Sequence, residues 1–176
     1  MAALMAARRW RTGVLAAALM TGLATSACGG DEDVQPTVTA VQAAQRVEQI
    51  LREAHAQLPP GAELKPFGDS GTLPCDDPTD GGPAGRVFVE QQYEVVFPAN
   101  WPADQALPKL ADYWQQRDYK VVNDLRERSD PRLSVEDPAD GYRISVTVYN
   151  RAPGSVDIYL IGSSPCVWQH GTPDPQ

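Results

Sequence analysis

The sequence predicts an α+β domain in which two amphipathic helices cover one face of an antiparallel sheet of four to five strands. Three observations lead there. Two stretches repeat apolar residues at helical steps of three and four, and several others repeat them at steps of two. The alternating stretches follow one another through short loops, which suit antiparallel neighbours. The alternation is one-sided, so one sheet face is packed and the other wet, and two helices laid on the packed face complete the core.

In chain order, Ala40, Ala44, Val47, Leu51, Ala54 and Leu58 form the first helical stripe, with Thr39 as its expected N-cap and Pro59-Pro60-Gly61 as its stop. Arg46, Glu48, Arg52 and Glu53 decorate its other faces, and His55 falls just off the stripe as an edge residue. Residues 61–85 are turn chemistry, rich in Gly, Pro and Asp. Asp76, Asp77 and Asp80 before Gly81 superficially resemble a calcium loop, but the alternate-position oxygens and terminal bidentate Glu of an EF-hand are absent.

Val87, Val89, Tyr93, Val95 and Phe97 then share one face of a strand, interrupted by Gln91 and ended by Pro98. A second helix follows, with Asp104 as expected N-cap, Pro108 in its first turn, and Leu107, Leu110, Ala111 and Trp114 facing inward. Strands are expected around Tyr119, Val121 and Leu125, and around Leu133 and Val135. Tyr142, Ile144, Val146 and Val148 alternate with Arg143, Ser145, Thr147 and Tyr149. Asn150–Gly154 is a tight connection into a last strand carrying Val156, Ile158 and Leu160. No internal repeat is visible, and one domain accommodates the whole pattern.

The N-terminus carries a different kind of signal. Arg8, Arg9 and Arg11 precede an apolar run of 13 residues, Thr12–Ala24, and no acidic residue occurs before Asp31. A spanning helix needs about 20 apolar residues, so this run fits an export signal better than a permanent single-span anchor. Thr25-Ser26-Ala27-Cys28 resembles the lipobox of bacterial lipoproteins, in which the cysteine is diacylated and becomes the new N-terminus. Thr25 stands where the family prefers Leu, and the Arg8-Arg9 pair leaves twin-arginine export beside general secretion. With Cys28 lipidated, the other two of the three cysteines, Cys75 and Cys166, balance as one disulfide in an oxidising compartment. The alternative is two unrelated buried thiols. A bond across 91 positions would stabilise the domain by at most about 4–5 kcal/mol in the chain-entropy argument.

Gly29–Pro36 is polar and acidic and serves as a tether holding the domain roughly 15 Å from the membrane. The expected organisation is a signal peptide at 1–27, a tether at 28–38, a domain at 39–168 and a disordered tail at 169–176. The chain has 15 basic and 23 acidic residues, net −8, and loss of the three signal arginines leaves the mature chain at −11. Such a surface is repelled by anionic lipid, so the acyl chains must do the holding. Nucleic acid is disfavoured as a partner because phosphate contacts need clustered Lys and Arg.

The lipobox, the helix, the pair Tyr113-Trp114 closing the second helix, and the terminal Ser164-Pro165-Cys166-Val167-Trp168 with its Gly171-Thr172-Pro173 tail together resemble small uncharacterised actinobacterial lipoproteins. The resemblance implies an extracytoplasmic location at the outer face of the cytoplasmic membrane and a paired Cys75–Cys166. It carries over no catalytic residues.

Two histidines leave almost no material for a triad or an imidazole metal site, and no Gly-rich segment joins a strand to a helix as a phosphate cradle. No cofactor or metal is expected. The nominated binding surface is the sheet face away from the helices: Arg143, Ser145, Thr147, Tyr149 and Tyr159, with Asp157 and Ile161 beside them. The resulting expectation is a lipid-anchored accessory or binding module, not an enzyme, for an envelope protein or ligand. The alternative is a carboxylate-dependent hydrolase of envelope material.

Intact mass of the protein extracted from membranes is expected to match a chain starting at diacylglyceryl-Cys28, two hydrogens lighter before reduction than after it. A chain retaining its first 27 residues, or one without lipid, would overturn the anchor.

Overall fold

Helix α1 (Ala40–His55) starts where Thr39 leaves extended backbone and closes a capping box. The Thr39 hydroxyl accepts from the Gln42 N–H at 3.2 Å, and the Gln42 amide oxygen accepts from the Thr39 N–H at 2.9 Å. Such a cap stabilises a helix by about 1 kcal/mol. A computed structural model describes residues 36–75, 85–152 and 155–173 of the chain; Cys28, the signal segment and Asp76, Asp77 and Asp80 lie outside the described residues.

After α1 come β1 (Glu63–Pro66), β2 (Gly71–Pro74) and the long β3 (Arg86–Val96). A 3₁₀ turn at Ala103–Gln105 leads into α2 (Ala106–Gln116). The chain finishes with β4 (Lys120–Asp124), β5 (Arg132–Glu136), β6 (Arg143–Ala152), β7 (Ser155–Ser163) and β8 (Val167–Trp168). Every pairing is antiparallel and the sheet order is β1-β3-β7-β6-β5-β4. β2 and β8 also pair with β3, β2 along the edge that carries β1 and β8 along the edge that carries β7.

Among the described residues the sheet therefore has eight strands, not the four to five expected. The added ones are β1, β2 and β8. β1 and β2 are four residues each, largely exposed, and end in Pro66 and Pro74, so they show neither alternation nor a β-branched run. Proline is tolerated there because these are edge strands. β8 has two residues behind Pro165, below the length at which a period of two can be read.

Both helices lie on one face, as expected. Ala40, Ala43, Val47, Ile50, Leu51 and Ala54 of α1 and Ala106, Leu107, Leu110 and Trp114 of α2 are buried against Val89, Val95, Leu133, Val135, Ile144, Val146, Val148, Ile158 and Leu160 of the sheet. α1 stops at His55, one turn before the anticipated Pro59, although Leu58 is still buried in the turn beyond. His55 donates from Nε2 to the Ala62 carbonyl at 2.9 Å, tying the helix end to the approach into β1. Asp104 is not the N-cap of α2: it sits inside the 3₁₀ turn, and the cap position, Gln105, makes no side-chain cap bond. Beyond α2, Asp118 takes the left-handed conformation (φ 58°) that reverses the chain into β4.

Where α1 crosses β7 the spacing is set by Gly162. A Cβ there would lie 3.0 Å from Leu51 Cγ and Cδ1 and from Val47 Cγ1. The helix rests directly on the strand backbone.

The Cys75–Cys166 disulfide is formed, with Cα atoms 6.0 Å apart. It joins the end of β2 to the β7–β8 connection, next to a backbone hydrogen bond from the Cys75 N–H to the Arg86 carbonyl. Residues assigned from sequence to tether and tail meet each other here. The Thr37 N–H donates to Gly171, the Ala40 N–H to Gln169, and the Trp168 N–H to the Thr37 hydroxyl at 2.7 Å. Asn150–Ala152, anticipated as part of a connection, extend β6 with a register shift, and residues 153–154 lie outside the described residues.

Gly162→Ala is expected to lower stability by about 1–3 kcal/mol through overpacking. Leu51→Ala alone should cost about 2–5 kcal/mol. Because both act on one contact, urea melts of the double mutant should show less than the sum of the two losses.

Candidate functional site

The face opposite the helices is built by the alternate residues of the same strands. In register across β3, β7 and β6, Glu90 stands beside Ser163 and Arg143, Gln92 beside Ile161 and Ser145, and Glu94 beside Tyr159 and Thr147. All five nominated residues, Arg143, Ser145, Thr147, Tyr149 and Tyr159, therefore share this face. The face is not uniformly wet. Thr147 and Tyr159 are 2 % and 8 % exposed, Ser145 and Tyr149 are half-buried, and Arg143 is exposed.

The cover comes from a stretch that read as turns. β1 and β2 run along one edge of β3, and the excursion Phe67–Ser70 between them is pinned by Gln92. The Gln92 N–H donates to the Ser70 hydroxyl at 3.1 Å, and the Phe67 N–H donates to the Gln92 carbonyl at 3.0 Å. This places Phe67 on Tyr159, ring centroids 4.4 Å apart, and Tyr159 in turn meets Tyr149 edge-on at 5.6 Å. Arg151 lies 5.0 Å over the Tyr149 ring while its Nε donates to Asp157 at 2.7 Å. Arg132 donates to the buried Thr147 hydroxyl at 3.0 Å. The middle of the face is thus an aromatic ridge.

On one side of the ridge lies a depression of about 410 Å³, lined by Glu90, Ser134, Arg143, Ser145, Ile161 and Ser163 with Val122 and Asn123 of β4. Its one cation, Arg143, donates to Glu136 at 2.8 Å, and Lys120 stands 4.0 Å from the same carboxylate. On the other side the sheet itself opens into a cleft of about 650 Å³ between the ends of β3 and β7.

The helix side holds a polar cluster of another kind. Arg46 on α1 donates to Asp140 at 2.8 Å and to Asp137 at 2.9 Å, approaches Glu53, and lies 5.9 Å over the Tyr142 ring. Arg117 reaches Glu53 at 3.6 Å and lies 5.3 Å over Tyr113. Burial, with Asp137 adding to it, pushes the Tyr119 phenol up to about 12. Every cation here has its anion, so the cluster acts as a strut joining α1, α2 and the turn between β5 and β6. Among the described residues no group of three or more His, Cys, Asp or Glu is placed to hold a metal ion, and no helix is long and apolar enough to cross a membrane.

The residues that sequence reasoning passed over are Phe67, Glu90, Gln92, Glu94 and Trp101. The outward positions of β3 carried a readable signal, since Glu90, Gln92 and Glu94 alternate with Val89, Gln91, Tyr93 and Val95. Phe67 and Trp101 lie in irregular segments with no period to place them. No protein-family model matches the chain, and comparison with curated proteins and with solved structures gives no match.

Tyr119 yields a pH prediction. Its folded pKa of about 12 stands above its ordinary 10, so the unfolded chain loses the phenolic proton first. Its contribution to stability is full below pH 10 and is lost as pH rises toward 12. Thermal melts are therefore expected to fall across that window. The fall should be shallower in Tyr119→Phe, which has no proton to lose.

Proposed function

We propose that the protein is a lipid-anchored extracytoplasmic accessory module that holds an envelope protein or ligand on the open face of its sheet. The anchor rests on the lipobox at Cys28 and the signal before it. The observation that carries the binding role is the placement of both helices on one face, which leaves the other with a depression of about 410 Å³ beside an aromatic ridge. A volume of that order suits a side chain or small group presented by a partner. Arg143 at the rim, already shared with Glu136, supplies an exposed donor, and Ser145 and Ser163 supply hydroxyls within. Arginine and tyrosine are also the residue types enriched where partners bind.

A photo-crosslinking side chain at position 143, in protein on native membranes, should give a discrete adduct that Ser145→Trp abolishes by filling the depression. The same probe at Asp112, exposed on α2, should not give it. Equal adduct patterns from both positions, or none from position 143, would remove the open face as the binding surface.

A further inference from the structure

The cleft at the other end of the sheet arises from a parted ladder. β3 and β7 pair from Glu90↔Ser163 to Glu94↔Tyr159 and no further. In continued register Val95, Val96 and Phe97 would face Ile158, Asp157 and Val156. Instead β3 turns with β1 while Ser155–Ile158 stay with β6. Among the described residues neither strand fills the gap: it is an open volume of about 650 Å³ lined by both strand ends and by the connection Pro98–Asp104. The side of β7 that had faced β3 therefore borders the cleft without a ladder.

Two kinds of side chain converge on this volume. Trp101 stacks on Phe97, centroids 4.5 Å apart and planes 23° from parallel, and forms an aromatic wall rooted in the core. Glu94, Asp104 and Asp157 line the same space. Asp157 is engaged by Arg151, whereas the side chains of Glu94 and Asp104 make no hydrogen bond or ion pair with a described residue. Lys65 stands opposite Glu94 in the β1–β3 register but makes no salt bridge with it. Aromatic faces attract cations, and carboxylates do so more strongly in a concave site than on a flat surface.

We infer that this cleft binds a small organic cation, a primary amine or guanidinium on an apolar stem, with its charge held between Glu94 and Asp104 and its stem against Trp101. The same chemistry is offered by a free amine and by the basic side chain of a peptide. The inference stands apart from the Arg143 depression, which shares none of these residues.

The test is calorimetric titration, with tryptophan fluorescence, of the mature chain purified from membranes in detergent, at low and at moderate salt. The probes are agmatine, putrescine and an acetylated, amidated Ala-Lys-Ala tripeptide. One-to-one binding of at least one probe is expected, weakened about tenfold or more by Glu94→Gln, which conserves volume, and also by Trp101→Leu. Asp112→Asn, which removes an exposed carboxylate away from the cleft, should leave it unchanged. Preference for the diamines over the tripeptide identifies a free amine as the ligand, and the reverse preference identifies a basic side chain. Absence of binding by all three probes at millimolar concentration would overturn the inference. So would binding that Glu94→Gln leaves intact, or binding lost equally with Asp112→Asn, which is the behaviour of general attraction to an acidic surface.

Discussion

The fold depends on how closely α1 can approach β7. Gly162 removes the one side chain that would stand between them, and Leu51 and Val47 take its place. Ala40, Ala43 and Ala54 keep the rest of the contact surface shallow, so helix and sheet meet with little side-chain depth. Interiors of this kind are packed as densely as organic crystals, and a single methyl is felt. Once α1 is seated, its N-terminus fixes Thr37, which receives the Trp168 N–H and donates its own N–H to Gly171. Entry and exit of the domain are thereby joined on the side where the disulfide holds β2 to the β7–β8 connection. Close helix seating and closure of the chain ends are one arrangement.

The same economy on the helix side has consequences for the other face. Two helices suffice to bury the apolar alternation of β3, β5, β6 and β7, and among the described residues no further helix is left to cover the reverse. The chain covers part of it with Phe67, carried on the short excursion between β1 and β2, and leaves the two ends open. The ridge explains how Thr147 and Tyr159 come to be buried on a face that the alternation alone would make wet. Their neighbours two positions away along each strand remain accessible.

What could be read in the sequence follows from length and period. α1, α2, β3, β6 and β7 each repeat their pattern two or more times, and there sequence and structure agree on most of the side chains that turn inward, down to Gln91 beside the core with its amide directed at the Ala44 carbonyl, although Ala43, Ile50 and Ala106 are buried as well. The errors fall where a pattern is too short to repeat. β1, β2 and β8 have four residues or fewer, and β1 and β2 owe their pairing to β3, not to any propensity of their own. Asp104 has the right chemistry for an N-cap, but Pro102 sets a 3₁₀ turn first and moves the helix start past it. The cleft was beyond the reach of a one-dimensional reading, because it exists only where two strands distant in sequence part company. Arg143 and Ser145 were legible from alternation; Glu94 and Trp101 acquire meaning only together.

Charge sets the direction in which the open face works. The chain is acidic, with 15 basic and 23 acidic residues and a net charge of −8. Cations are enriched around it before any specific contact forms. Several of its carboxylates on the described surface already have an arginine, as Asp137 and Asp140 have Arg46 and Glu136 has Arg143. Glu94 and Asp104 are among those that do not, and they stand where the β3–β7 ladder opens and an aromatic stack forms the wall. The field of the whole chain and the local geometry of the cleft therefore favour the same class of ligand.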